Sequence, residues 1–189
     1  MSQEQNHKFY EESILKYGIS AQGVHWSSEY SQYKRFEILT EFIREDIKNS
    51  TLIDVGCGMG EYYNYLMNEE LKPKNYVGID CEQKMIDIAA KRYPKVDFIL
   101  KNVLEDKLII ADYYICSGAM NILNVKEFYL FIISCYEKCK KGFVFNFLKK
   151  DGYTKIYKEE ILTLCHKISD NVQSKDNYLD NDFSIFISK

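Results

Sequence analysis

Residues Leu52-Ile53-Asp54-Val55-Gly56-Cys57-Gly58-Met59-Gly60-Glu61 combine a short apolar run, a carboxylate and three glycines at alternate positions. Such a run, passing through glycines into a helical pattern, is a buried strand feeding a backbone cradle at a helix N-terminus. There a ligand can approach the main chain closely. The spacing says what the cradle does not hold. A dinucleotide loop reads Gly-x-Gly-x-x-Gly. Here the third glycine comes one place early, at Gly60, and Glu61 stands where that pattern has glycine. No Gly-Lys-Ser/Thr follows, so this is not a Walker phosphate loop. Asp54 beside the loop would repel a pyrophosphate. Asp80 closes a second apolar run, 20 positions after Gly60. A carboxylate there can accept hydrogen bonds from both hydroxyls of a ribose.

The loop resembles motif I, Asp-x-Gly-x-Gly-x-Gly, of the class I S-adenosylmethionine-dependent methyltransferases. The best matches cover residues 51–148, and the tail from Tyr178 to Phe186 is similar to that of small bacterial members. The resemblance implies S-adenosyl-L-methionine as cofactor, a molecule with a sulfonium, an ammonium and a carboxylate but no phosphate. Asp54 then suits the ammonium, and Gly56, Cys57, Gly58 and Gly60 form the cradle. Asp80 takes the ribose, with Cys81 against an adenine face. Asn102 stands where family members commonly carry an aspartate for the adenine amino group. Its carbonyl still accepts from an amine, and the Val103 backbone N–H meets a ring nitrogen. Ser117 falls near the transferred methyl. Gly118, Met120 and Asn121 leave room for an acceptor, together with Trp26 from the segment before the sheet. His25 is a candidate general base, Ser117 a second candidate catalytic group, and Arg35 a candidate partner for the cofactor carboxylate. No carboxylate set suited to the magnesium of catechol-type relatives is recognisable, so no metal is expected. Plainer alternatives stand beside these roles: Asp80 and Asn102 as turn residues, His25 packed beside Trp26, Arg35 in solvent.

The loop after the fourth strand narrows the chemistry. Enzymes that methylate the exocyclic amines of bases usually show Asn/Asp-Pro-Pro-Tyr/Phe here, and this chain has Ser117-Gly118-Ala119. No Pro-Cys nucleophile for carbon methylation of pyrimidines occurs, and Cys116 reads as a buried strand residue. The reading is a methyltransferase acting on a small-molecule acceptor. Its rivals are an enzyme that methylates tRNA or protein, and a non-catalytic module that binds the cofactor or its demethylated product.

These residues need a scaffold, and the pattern supplies one. A helix is predicted from Ser27 or Ser28 to about Ile47, with Phe36, Leu39, Ile43 and Ile47 at helical spacing. Strands follow at Thr51–Val55, Asn75–Ile79, Val96–Leu100, Ala111–Cys116 and Phe143–Leu148. Helices are predicted at Glu61–Asn68, Glu82–Lys91, Asn124–Lys140 and Lys158–His166. Asn124 with Glu127 outlines a capping box. Asn171–Tyr178 and Asp182–Ser188 read as a hairpin around Leu179-Asp180-Asn181. Alternating strands and helices imply an α/β fold with a doubly wound parallel sheet. The resemblance makes it Rossmann-like and seven-stranded, in the order 3-2-1-4-5-7-6 with the last strand antiparallel. A single domain over 1–189 is expected, with 1–48 as an N-terminal helical cap.

The chain has 189 residues, a formal net charge of −3 and a pI near 5.7. That balance makes a nucleic-acid partner unexpected. The polar start, Met1 to Lys8, and the lack of an apolar run of about 20 residues point to a cytoplasmic protein off the membrane. Its six cysteines are then reduced. They show no zinc spacing. Cys135 and Cys139, one helical turn apart, read as small core residues. The acceptor atom and the oligomeric state are not set by the sequence.

Overall fold

The computed structural model describes residues 29–149 and 154–189. Its element order is α1 (Glu29–Glu41), a short 3-10 turn (Ile47–Asn49), β1 (Thr51–Val55), α2 (Glu61–Asn68), β2 (Asn75–Asp80), α3 (Gln83–Arg92), β3 (Asp97–Leu100) and β4 (Ala111–Ser117). A second 3-10 turn (Ala119–Ile122), α4 (Val125–Lys138), β5 (Cys139–Leu148), α5 (Lys158–Ile168), β6 (Val172–Asp176) and β7 (Asp182–Ser188) complete it.

The strands form one sheet in the order β3-β2-β1-β4-β5-β7-β6. β1 to β5 pair in parallel, and β7 runs antiparallel to both β5 and β6. This is the arrangement expected from the sequence. Parallel strands buried on both faces explain why β1 reads as mostly apolar, with Leu52, Ile53 and Val55 around the single carboxylate of Asp54. Its alternate residues go to opposite layers. Ile53 and Val55 join Phe128, Ile132 and Cys135 of α4 and Ile161 and Cys165 of α5 in one core. Leu52 joins Phe36 and Leu39 of α1 and Tyr62, Tyr65 and Leu66 of α2 in the other.

Several predicted boundaries move by one to six residues, two of them for clear local reasons. The first helix ends at Glu41 rather than near Ile47. Beyond it the chain tightens into three-residue turns, with Ile43 N–H donating to Thr40 O and Asp46 N–H to Ile43 O, both at 3.0 Å. The tighter winding keeps Ile43 and Ile47 in the core. It also brings Asp46 to Lys141, Ser50 and Tyr113, which all donate to its carboxylate. Likewise α4 stops at Lys138, and Cys139 starts β5 in register with Ala111. Cys135 and Cys139 are both buried, but they do not share a helix. The Asn124 capping box forms as predicted, with Glu127 N–H donating to Asn124 Oδ1 at 3.0 Å and Asn124 N–H to Glu127 Oε2 at 2.9 Å. No helix among the described residues is long and apolar enough to cross a membrane.

Candidate active site

The carboxyl ends of β1, β2, β3 and β4 open on one cavity of about 530 Å³. Open α/β sheets bind ligands at this edge, where the connections leave the sheet in opposite directions. β1 and β4 lie side by side and provide that crevice.

The glycine loop is built by backbone geometry. Gly56 N–H and Cys57 N–H both donate to Ile79 O, at 2.8 and 3.1 Å, which pins the loop to the end of β2. Gly56 has φ +71°, and a Cβ there would lie 2.2 Å from the Ala119 Cβ. The first glycine thus lets the β1 and β4 loops touch. Gly58, φ +52°, lines the cavity. Gly60 does not. It closes the loop as the left-handed N-cap of α2, φ +82°, where a Cβ would crowd the Tyr93 and Phe98 rings.

Two carboxylates flank this loop. Asp54, buried in β1, accepts from Tyr76 Oη at 2.5 Å. Burial pushes its pKa up to about 7, against the Tyr76 hydrogen bond and with a further push from Asp80. Asp80, at the end of β2, accepts from Gly58 N–H at 2.9 Å and from Glu82 N–H at 3.0 Å. Burial lifts it to about 6 despite those amides. Carboxylates with raised pKa values in a cleft mark a candidate functional site.

The other predicted residues divide. Cys57, Cys81, Asn102, Val103, Ser117, Gly118 and Asn121 line the cavity with Asp54, Gly56, Gly58 and Asp80. Asn102 also makes a turn, its Oδ1 accepting from Leu104 N–H at 3.0 Å. Burial raises the Cys81 thiol to about 12, so it packs as a neutral group. Met120 is fully buried in the core under α4 and does not reach the cavity. The 3-10 turn after Gly118 rotates it inward. Arg35 is not in solvent, nor does it line the cavity. Its Nη2 donates to Asp182 Oδ2 at 2.9 Å and its Nε to Asp182 Oδ1, a buried fork–fork pair. His25 and Trp26 lie outside the described residues.

Sequence reasoning missed Gln32, Phe36, Tyr62, Phe131 and Leu148 as lining residues. Gln32 and Phe36 carry a signal in hindsight, since they sit four apart on the α1 face that covers the sheet. Phe131 and Leu148 reach the cavity from α4 and the end of β5 through tertiary packing alone.

Sheet order, glycine loop and strand-end carboxylates together define a Rossmann-like methyltransferase fold. Residues 52–142 match the model of a methyltransferase-domain family. That match and the shared fold support placing the chain with the class I S-adenosylmethionine-dependent methyltransferases. A protein of Invertebrate iridescent virus 6 named as a methyltransferase is 37% identical over 60 residues, 32% of this chain and 22% of that protein. The chain therefore matches about a fifth of that relative's length. The ubiquinone/menaquinone biosynthesis C-methyltransferase of Campylobacter jejuni is 25% identical over 189 aligned positions, 93% of this chain and 76% of the relative. Among solved structures, the magnesium protoporphyrin IX methyltransferase of Synechocystis PCC 6803 superposes with a TM-score of 0.68 at 12% identity. That match covers 84% of this chain and 79% of that one, and the structure was determined with S-adenosylmethionine bound.

Proposed function

We propose that this chain transfers a methyl group from S-adenosylmethionine to a small-molecule acceptor by in-line displacement. The observation that carries the reading is the pair Asp54 and Asp80 on either side of the left-handed glycine loop, in a cavity of about 530 Å³. That volume lies within the range of pockets for cofactor-sized ligands. The residues present fit the cofactor. Asp80 has two carboxylate oxygens, each held by one backbone N–H, and keeps acceptor capacity for two ribose hydroxyls. Asp54 meets the ammonium in a site with little water, where charge pairing is strong. Ile79, Met85, Val103 and Leu104 offer an apolar slot for a flat ring. When bound, the cofactor supplies an activated methyl on a good leaving group. The protein then has to orient the two reactants and keep water out. Support for a small acceptor comes from the quinone-pathway and porphyrin relatives and from the acidic balance of the chain. We place the protein in the cytoplasm and assign it no nucleic-acid partner.

Calorimetry with S-adenosylmethionine, S-adenosylhomocysteine and NAD tests the reading. Both sulfur compounds are expected to bind and NAD is not. NAD binding with no response to either would overturn it.

The raised carboxyl groups add a pH dependence with a fixed sign. Because the folded pKa values of Asp54 and Asp80 exceed the unfolded ones, their contribution to stability is full below about pH 4. It is lost as pH rises through about 6 and then about 7. Cofactor binding runs the other way, since the ionised forms receive the ammonium and the hydroxyls. Affinity for S-adenosylhomocysteine should therefore rise between about pH 5.5 and 8, by up to about tenfold per pH unit for each proton released. Calorimetry in buffers of different ionisation enthalpy would report that release. In Asp54→Asn the upper step should vanish. Affinity that is flat across this range would sink the assignment of both carboxylates.

A further inference from the structure

Asp54 is the one ionisable side chain of β1, and it is 2% exposed. A carboxylate this deep takes a proton unless a donor stabilises its charge. Among the described residues that donor is Tyr76 of β2, whose hydroxyl donates to Asp54 Oδ2 at 2.5 Å.

The register of the sheet explains how the two meet. Leu52 pairs with Tyr76 and Asp54 with Gly78, so all four lie on one face. Tyr76 and Asp54 are diagonal neighbours, a separation that a long aromatic side chain spans. Gly78, opposite Asp54, keeps the space clear. A Cβ there would stand 2.5 Å from Phe98 Cδ1 and 2.9 Å from Cys57 Sγ. The Tyr76 ring packs against Tyr63 of α2 and Phe98 of β3, with ring centroids 5.0 and 6.3 Å away. Packing from two elements thus brings the phenol to Asp54.

The two oxygens of Asp54 differ. Oδ2 is occupied by Tyr76. Oδ1 makes no hydrogen bond among the described residues, and unlike the buried oxygens of Ser117, Asn121 and Asn146 it is not sealed off. Asp54 lines the cavity. Resting on the methyltransferase reading above, we infer that Tyr76 is a positioning residue for the cofactor ammonium: its hydroxyl holds Asp54 Oδ2, keeps the carboxylate charged and leaves Oδ1 to receive the ammonium.

The other groups around Asp54 do not do this. Burial works against its charge, Tyr76 for it, and Asp80 of β2 against it again. Cys57 of the glycine loop, Tyr62 of α2 and Cys116 of β4 also sense that charge, and burial holds all three neutral. Burial keeps the Tyr76 phenol neutral as well, so it remains a donor. None of these groups is a cation.

The test compares two ligands of the full chain by calorimetry. S-adenosylhomocysteine carries the ammonium, and 5′-methylthioadenosine is the same thionucleoside without the amino acid. Tyr76→Phe keeps the ring. Loss of a hydrogen bond to a charged group should move the titration of Asp54 up by about one pH unit. S-adenosylhomocysteine should then bind the variant about five- to tenfold more weakly at pH 6.5, and less than about twofold more weakly at pH 8.5. Methylthioadenosine should bind the variant and the unmodified protein alike at both pH values, since its ribose calls on Asp80 and nothing in it calls on Asp54. In an Asp54→Asn background Tyr76→Phe should add nothing. Replacing Tyr76 by 3-fluorotyrosine, a more acidic phenol on the same ring, should shift the S-adenosylhomocysteine profile to lower pH. That variant decides the matter if Tyr76→Phe does not fold. An unchanged S-adenosylhomocysteine affinity at pH 6.5, equal weakening of both ligands, or a loss that is the same at both pH values in folded Tyr76→Phe would each overturn the inference, as would a fluorotyrosine profile that does not move. Failure of both ligands to bind the unmodified chain would instead strike the methyltransferase reading, and is measured first.

Discussion

Asp80→Ala is expected to weaken binding of S-adenosylhomocysteine by about 2–4 kcal/mol, roughly 30- to 1,000-fold. The size follows from what the carboxylate does at the end of β2. Its two oxygens are fixed by Gly58 N–H at 2.9 Å and Glu82 N–H at 3.0 Å. It is desolvated enough for its pKa to reach about 6. A half-buried anion held rigidly by two backbone N–H groups makes strong, well-oriented hydrogen bonds to hydroxyls. Alanine removes two such bonds and also leaves the Gly58 N–H without its acceptor, which loosens the loop. The fold should survive, because the lost group opposes folding near neutral pH. Asp80→Asn should lie between the two, keeping one acceptor without the charge. Calorimetry decides the matter, with a thermal melt as the control for folding. An unchanged dissociation constant in a folded Asp80→Ala protein would put the ribose elsewhere.

What the sequence revealed and what it hid divide along physical lines. The glycine loop and Asp80 were legible because their geometry is local. A left-handed turn needs glycine, and a strand-end carboxylate follows from register a few residues away. The sheet order came through the family resemblance, since nothing in alternating strands and helices sets that order. Gly60 was legible as a glycine but not as a cap, because the loop and the helix start overlap there. Met120 shows the limit of counting along a loop. One 3-10 turn decides whether a side chain meets the cavity or the core, and Ala119–Ile122 gives no period from which to choose. Arg35 shows a limit of another kind. A charge on a helix near a cofactor site invites a ligand role, while its partner Asp182 is 147 residues away in sequence. Only the antiparallel return of β7 beside β5 brings that carboxylate under α1.

That pair sets the largest expected effect on stability. Asp182→Ala should destabilise the protein by about 3–5 kcal/mol, because removing one partner leaves the Arg35 guanidinium charged and buried. Arg35 and Asp182 have side-chain exposures of 8% and 4%, so water cannot take over the lost partner. For a chain of this size each kcal/mol lowers the melting temperature by about 2–4 °C, which predicts a fall of roughly 10 °C. The effect is specific to breaking the pair. In Arg35→Met with Asp182→Ala no lone charge remains, and more than half of the loss should return, since an ion pair replaced as a unit by apolar groups often costs little. The same contact bears on the site. Arg35 lies one turn from Gln32 and next to Phe36, both of which line the cavity, so the pair ties the covering helix to the sheet beside two residues of the cavity wall. Asp182→Ala should therefore also lower affinity for S-adenosylhomocysteine, but by less than Asp80→Ala, since it loosens a wall and removes no group that touches the ribose. Thermal melts of the two single variants and the double variant form the cycle that measures the coupling. Additive losses would show that the charges do not sense each other, and that α1 is held to the sheet by Phe36 and Leu39 packing alone.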